Sequence, residues 1–191
     1  MSAHAPSLTR SRALAAGAGL LAVGAAVRSA TGAAPTKRDV QVLQFALVLE
    51  RFELAFYTAA LDAGILRGEL RRYAQTVVEH ERAHASFVEK ALGGNAGPAP
   101  KLNVRPSMRN ARTFANAAIR LEDTAVSAYN GQAANVSPSI LAAAARIVSV
   151  EARHAAWIRD IVGKPPAADA VDPALTAAQA QAALVKLGLQ A

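Results

Sequence analysis

From residue 37 onward, apolar positions recur at alternating steps of three and four, the spacing that keeps one stripe of an α-helix facing inward. Four long segments carry this pattern. The first runs from about Lys37 to Asp62 and stops before Gly64, and the second runs from about Gly68 to Leu92 and ends at Gly93-Gly94. The third covers about Ser107 to Ala134. Ser137-Pro138 then reads as an N-cap with proline at the first helical position, opening a fourth segment to Val162 that ends at Gly163-Lys164-Pro165-Pro166. A short fifth helix is predicted over Thr176 to Leu187, where Thr176 and Gln179 match a capping box. No segment alternates with the period of two that a half-buried strand needs, so the chain is predicted to be all-α.

The inward stripe breaks at the same place in every long segment. The first reads Val40, Leu43, Leu47, Glu50, Leu54, Tyr57, Leu61, and the second reads Leu70, Ala74, Val77, Glu81, His84, Val88, Ala91. The third reads Met108, Ala111, Ala115, Ala118, Glu122, Ala125, Tyr129, Gln132, and the fourth reads Ile140, Ala144, Ile147, Glu151, His154, Ile158, Ile161. A carboxylate sits near the midpoint of each, and in the second and fourth a histidine follows three residues later. Packed antiparallel, the segments bring four carboxylates and two imidazoles to one height in an otherwise dry interior. Each buried, unpaired carboxylate costs several kcal/mol even after relaxation, so four together need compensation. Two divalent cations would cancel the four charges, with neutral histidine completing the coordination. One Glu from each of two helices plus Glu-x-x-His from each of the other two is the di-iron or di-manganese carboxylate pattern, and oxygen and imidazole donors suit iron, manganese or zinc. The plain alternative is a set of carboxylates facing water, or a degenerate site that no longer holds metal.

Composition narrows the picture. The 191 residues are 52% hydrophobic and 18% charged, which excludes a long disordered chain, and aromatics make up only 5%, which favours closely packed helices. There is no cysteine, hence no disulfide, thiolate zinc site, iron–sulfur cluster or rubredoxin-type iron. The net charge of +7 owes three units to Arg10, Arg12 and Arg28. The remaining arginines are scattered without stacking aromatics, so nucleic acid is not an expected partner.

Residues 1–34 read as an export signal: Arg10 and Arg12, an uncharged stretch from Ala13 to Val27, then small residues from Ser29 to Ala34. The stretch is shorter than the about 20 residues of a spanning helix, so a membrane is a partner only if this segment is retained as an anchor. Arg10-Ser11-Arg12 lacks the adjacent arginine pair of a twin-arginine signal, which leaves general secretion open as well. The expected organisation is an export signal over 1–34, a four-helix bundle over 35–163 and a tail with a short helix over 164–191, in a periplasmic or secreted protein.

The two halves of the bundle repeat one another. Glu50 and Glu122 are each followed seven residues later by a tyrosine, Tyr57 and Tyr129, and about thirty residues on by Glu81/His84 and Glu151/His154. With eight Glu, four His and three Tyr in the chain, composition alone would place fewer than one of either pattern. The link between the second and third segments is an independent check. A helix of about 24 residues is roughly 36 Å long, and a 14-residue stretch such as 93–106 reaches up to about 46–50 Å. It can return along the whole bundle, as a long crossover requires.

Leu49-Glu50-Arg51-Phe52-Glu53-Leu54-Ala55-Phe56-Tyr57, Glu81-Arg82-Ala83-His84, Leu121-Glu122 through Tyr129, and Val150-Glu151-Ala152-Arg153-His154 resemble the ferritin-like domain family of exported bacterial proteins, often labelled desiccation-related. The resemblance covers about Lys37 to Val162 and implies a ferritin-like antiparallel four-helix bundle with a long crossover and a short C-terminal helix. It implies a centre of two divalent iron or manganese ions held by Glu50, Glu81, His84, Glu122, Glu151 and His154, with Glu81 and Glu151 bridging or chelating. Tyr57 and Tyr129 are the candidate catalytic side chains, placed to hydrogen-bond a ligand or donate an electron, with plain core packing the alternative. Glu53 aligns with Ala125 in the repeat and is expected at the rim or as an outer partner behind the ligands, a seventh oxygen ligand being the other reading. His80 is expected on the helix flank, Asp123 and Arg153 as outer partners or surface residues, and Trp157 in the core. The expected chemistry is ferroxidase, peroxidase or catalase-like, with O2 or H2O2 as small substrate and an external electron donor, in a chain compatible with a homodimer. The competing function is a non-catalytic metal-binding or stress-protective bundle.

Overall fold

Thr36 starts the first helix by a reciprocal cap: its hydroxyl accepts the Asp39 N–H at 3.1 Å, and the Asp39 carboxylate accepts the Thr36 N–H at 2.9 Å. The computed structural model describes residues 35–190, so the expected export segment, 1–34, lies outside the described residues. Among these, five helices form: α1 (Lys37–Asp62), α2 (Gly68–Leu92), α3 (Ala111–Gln132), α4 (Pro138–Ile161) and α5 (Ala177–Leu187). No strand forms among the described residues. The chain is an all-α four-helix bundle with a long crossover between α2 and α3 and a short C-terminal helix.

One helix start differs from the sequence pattern, and a second stands where expected but is bonded differently. The third helix begins at Ala111 rather than near Ser107. Asn110 caps it by accepting the Thr113 N–H at 2.9 Å, and the Thr113 hydroxyl accepts the Asn110 N–H at 3.2 Å, while Arg105–Met108 turn as a separate 3₁₀ helix. Ser137 does stand at the N-cap of α4, but its side chain makes no cap bond. Its N–H instead donates to Asp39 at 2.7 Å, which ties the start of α4 to the start of α1.

Within the bundle, α1 packs on α2 and α3 packs on α4. Across the hairpins, Tyr57 meets Glu122 and Tyr129 meets Glu50, so α1 and α3 run antiparallel. His80 meets His154 and Glu69 meets Trp157, so α2 and α4 do the same. The crossover after α2 climbs the outside of α1. Gln44 donates to the Asn95 carbonyl at 2.8 Å, and Arg51 donates to the Gly97 carbonyl at 2.6 Å and to Glu89 at 2.8 Å. It then buries Val104 and pairs with the C-terminus, where the Asn103 N–H donates to the Gly188 carbonyl at 2.7 Å.

The C-terminal helix lies against α3, with Ala180 and Leu184 fully buried. Two glycines permit this. A Cβ at Gly131 would fall 1.8 Å from the Leu175 carbonyl oxygen. At Gly188, where φ is +124°, a Cβ would fall 2.3 Å from the Asn103 oxygen. Apolar packing divides into two clusters, one around Phe52, Phe56, Tyr73 and Phe114, the other around Leu43, Leu47, Val88 and Ile147. The stripe-breaking polar residues fill the layer between them.

Candidate metal centre

Each helix delivers its polar residue to this layer from a register that its apolar neighbours fix. Leu47 and Leu54 bracket Glu50, Val77 and Val88 bracket Glu81 and His84, and Ile147 and Ile158 bracket Glu151 and His154. Glu50, Glu81, Glu122 and Glu151 are all 0% exposed, with His84 at 3% and His154 at 2%. All six residues read from the stripes therefore meet in one buried layer. The His84 Nδ1 stands 2.8 Å from Glu151 Oε1, 3.1 Å from Glu81 Oε2 and 3.4 Å from Glu50 Oε2. The His154 Nδ1 stands 3.1 Å from Glu151 Oε2, 3.2 Å from Glu81 Oε1 and 3.5 Å from Glu122 Oε2. Ligand atoms of Glu50, Glu81, His84 and Glu151 lie within 4.8 Å of one another, as do those of Glu122, Glu151 and His154, so Glu151 belongs to both groups.

One ring nitrogen carries a single hydrogen or lone pair and cannot satisfy three oxygens. Glu50 Oε2, Glu81 Oε1, Glu122 Oε2 and Glu151 Oε1 are left without any hydrogen bond. Such orphaned buried oxygens are costly unless a cation takes them up. A metal ion with bonds of about 2.1 Å holds neighbouring ligand atoms about 3 Å apart, the separation that these nitrogens and oxygens already have. The donor set of this layer fits metal binding.

The titration of the layer reflects its crowding. Burial, then the Glu151 charge, pushes Glu81 up to about 8 despite the two histidines that face it. Burial likewise raises Glu122. For Glu151 burial acts upward, but His154 and His84, both facing it, outweigh burial and hold the carboxyl at about 2. Burial disfavours the charged form of His84 and His154, yet the surrounding carboxylates win, and both are raised well above the ordinary imidazole value. The carboxylates thus favour the charged form of both rings.

The tyrosines reach across the bundle. Tyr57 donates to Glu122 Oε1 and Tyr129 donates to Glu50 Oε1, so each serves the glutamate of the other hairpin rather than its own. Burial, reinforced by the neighbouring carboxylate, raises both phenols and keeps them protonated. The profile of the ferritin-like domain family matches residues 38–164. The chain belongs to the ferritin-like domain family. No curated protein matches it.

Three residues of this ferritin-like domain stand closer to the centre than the sequence suggests. Tyr73 is fully buried, 2.9 Å from the Tyr57 hydroxyl, and donates to Glu122 Oε1 at 3.2 Å. It lies about two turns before Glu81 and beside the apolar stripe rather than on it, so no motif marks it. His80 does not stand out on the flank: its Nδ1 lies 2.8 Å from His154 Nε2, and the two rings stack with centroids 5.1 Å apart. Burial, then the charges on His154 and His84, lowers it to about 4, so it remains a neutral acceptor. Glu53 is not at the rim. It is 0% exposed, and neither carboxylate oxygen has a hydrogen bond. Asp123 instead holds Arg159 at 2.6 and 2.7 Å, Arg153 is exposed, and Trp157 is half-buried with its ring edge-on to Tyr73.

Proposed function

We propose that this ferritin-like domain is an exported metalloprotein whose dinuclear iron or manganese centre acts on O2 or H2O2, in the manner of a ferroxidase, peroxidase or catalase, in stress protection. The observation that carries the reading is the buried layer itself, in which four carboxylates with orphaned oxygens converge on two imidazole Nδ1 atoms. Glu50, Glu81, His84 and Glu151 would hold one ion, and Glu122, Glu151 and His154 the other. Bound iron or manganese supplies the electrons exchanged with the small oxidant. Tyr57 and Tyr129 hold protons at Glu122 Oε1 and Glu50 Oε1 and so fix which oxygens stay free for a metal. The apolar clusters on either side exclude bulk water, and a cavity of about 40 Å³ lined by Leu43, Ala46, Leu49 and Tyr129 has room for a diatomic molecule. Without cysteine the chain has no thiolate relay of its own, so the electron donor is external.

Metal analysis of the protein purified without chelator, beside a Glu81→Ala/His84→Ala variant, tests the centre. Two iron or manganese ions per chain, lost in the variant, support it. A wild-type protein that stays empty after anaerobic reconstitution with Fe(II) and with Mn(II) rejects it. Fe(II) oxidation and H2O2 consumption by the loaded protein then test turnover. Metal bound without either activity would leave sequestration as the function.

A further inference from the structure

Glu53 is a carboxylic acid sealed in the core with nothing to bond. It is 0% exposed and both its oxygens lack a hydrogen-bond partner. A neutral acid in that place would still have an O–H to donate, and an ion would need a counter-charge, so as a purely structural residue it has no compensation. Its position supplies one. Tyr57 reaches Glu122 and Tyr129 reaches Glu50 across the antiparallel α1/α3 pair. The midpoint between residues 50 and 57 on α1 therefore faces the midpoint between 122 and 129 on α3. Glu53 lies at that midpoint, one turn from Glu50 on the same face. Opposite it the repeat places Ala125, fully buried, whose methyl leaves space for the longer side chain.

The α2/α4 side of the centre is crowded with both histidines and the two central carboxylates. The α1/α3 side otherwise supplies a single carboxylate to each position. Resting on the dinuclear reading above, we propose that Glu53 is a fifth carboxylate ligand of the centre, entering between Glu50 and Glu122 on the α1/α3 side. Because Ala125 has no carboxylate to match, the two metal positions are inequivalent despite the repeat. Five carboxylates carry one negative charge more than two divalent ions neutralise, so Glu53 favours the more highly charged, oxidised pair.

The test is titration of the metal-free full chain with Co(II), following metal bound per chain and the visible d–d bands, for wild type and Glu53→Gln. The amide keeps the shape and removes the anion. Wild type should bind two ions. Glu53→Gln should lose about tenfold or more in affinity for one of them, with altered d–d bands, and the iron-loaded variant should show a more positive reduction potential. Affinities and bands unchanged in a folded Glu53→Gln overturn the assignment while leaving the dinuclear centre intact. A wild type that takes up no Co(II) overturns both. Should the amide variant fail to fold, Glu53→Ala, whose void can admit water, is held to the same criteria.

Discussion

His154 is held from two sides. Its Nδ1 faces the carboxylates while its Nε2 lies 2.8 Å from His80 Nδ1. Since His80 is held neutral, its Nδ1 accepts the Nε2–H, which fixes the ring and leaves Nδ1 for the centre. The repeat places Val150 where His80 stands, so His84 has no equivalent support from α4. Replacing His80 by Phe keeps the stacked ring and removes the acceptor. It should weaken one of two metal positions by about 10–100-fold and leave the other unchanged, as read by a two-site metal titration. The tyrosines act in the same way on the carboxylates. Tyr129→Phe frees Glu50 Oε1 from its donor and leaves a buried oxygen unsatisfied, at a cost of about 1–3 kcal/mol in the metal-free protein. Thermal melts of the metal-free variant should show this loss, and it should shrink once metal is bound.

At the scale of elements, the stripes revealed the helices and the six inward residues because burial enforces the 3.6-residue period. They could not reveal partners that packing supplies. His80 is one position off the stripe and reaches His154 only through the α2/α4 contact, and the repeat matches Glu53 with Ala125, which hides its burial. The start of α3 was obscured because Met108 and Ala111 continue the apolar rhythm through a 3₁₀ turn, which the Asn110/Thr113 cap interrupts. The docking of α5 was equally hidden, since nothing local says that Gly131 marks where another backbone crosses. Gly131→Ala tests that crossing. Alanine should favour the helix by up to about 1 kcal/mol, but its Cβ would lie 1.8 Å from the Leu175 carbonyl. Moving the tail also breaks the bond from the Leu175 N–H to the Ser127 carbonyl at 2.8 Å. The clash should win, lowering stability by about 1–3 kcal/mol and opening residues 164–176 to limited proteolysis. Asp39→Ala should cost about 1–2 kcal/mol, because it removes the carboxylate that accepts the Thr36 N–H at the start of α1 and the tie to α4 at Ser137, while the Thr36 cap on the residue 39 N–H stays.

For the whole molecule, a core built around charge makes stability a function of pH and metal together. Glu81 titrates at about 8 in the fold against 4.5 for a free side chain. Its folded value is raised, so the fold is most favoured below about 4.5 and loses that advantage as pH rises towards 8. His84 and His154 are also raised. Their ion pairs contribute fully below the ordinary imidazole value of 6.5, and that contribution is lost as pH climbs through their folded values. In all three cases the folded state binds more protons than the unfolded chain, so the slopes add rather than cancel. Glu151, held at about 2, acts in the other direction, but only under acid conditions. The melting temperature of the metal-free protein should therefore fall steadily between pH 4.5 and 8. Metal entering the layer must displace the protons on His84, His154 and Glu81, so affinity rises over the same interval and binding releases protons into weakly buffered solution. At free metal 100 times the dissociation constant, loading adds about 2.7 kcal/mol. The gap in melting temperature between loaded and metal-free protein should widen from pH 5.5 to 8. Parallel curves for the two forms would mean that the ions bind outside this layer.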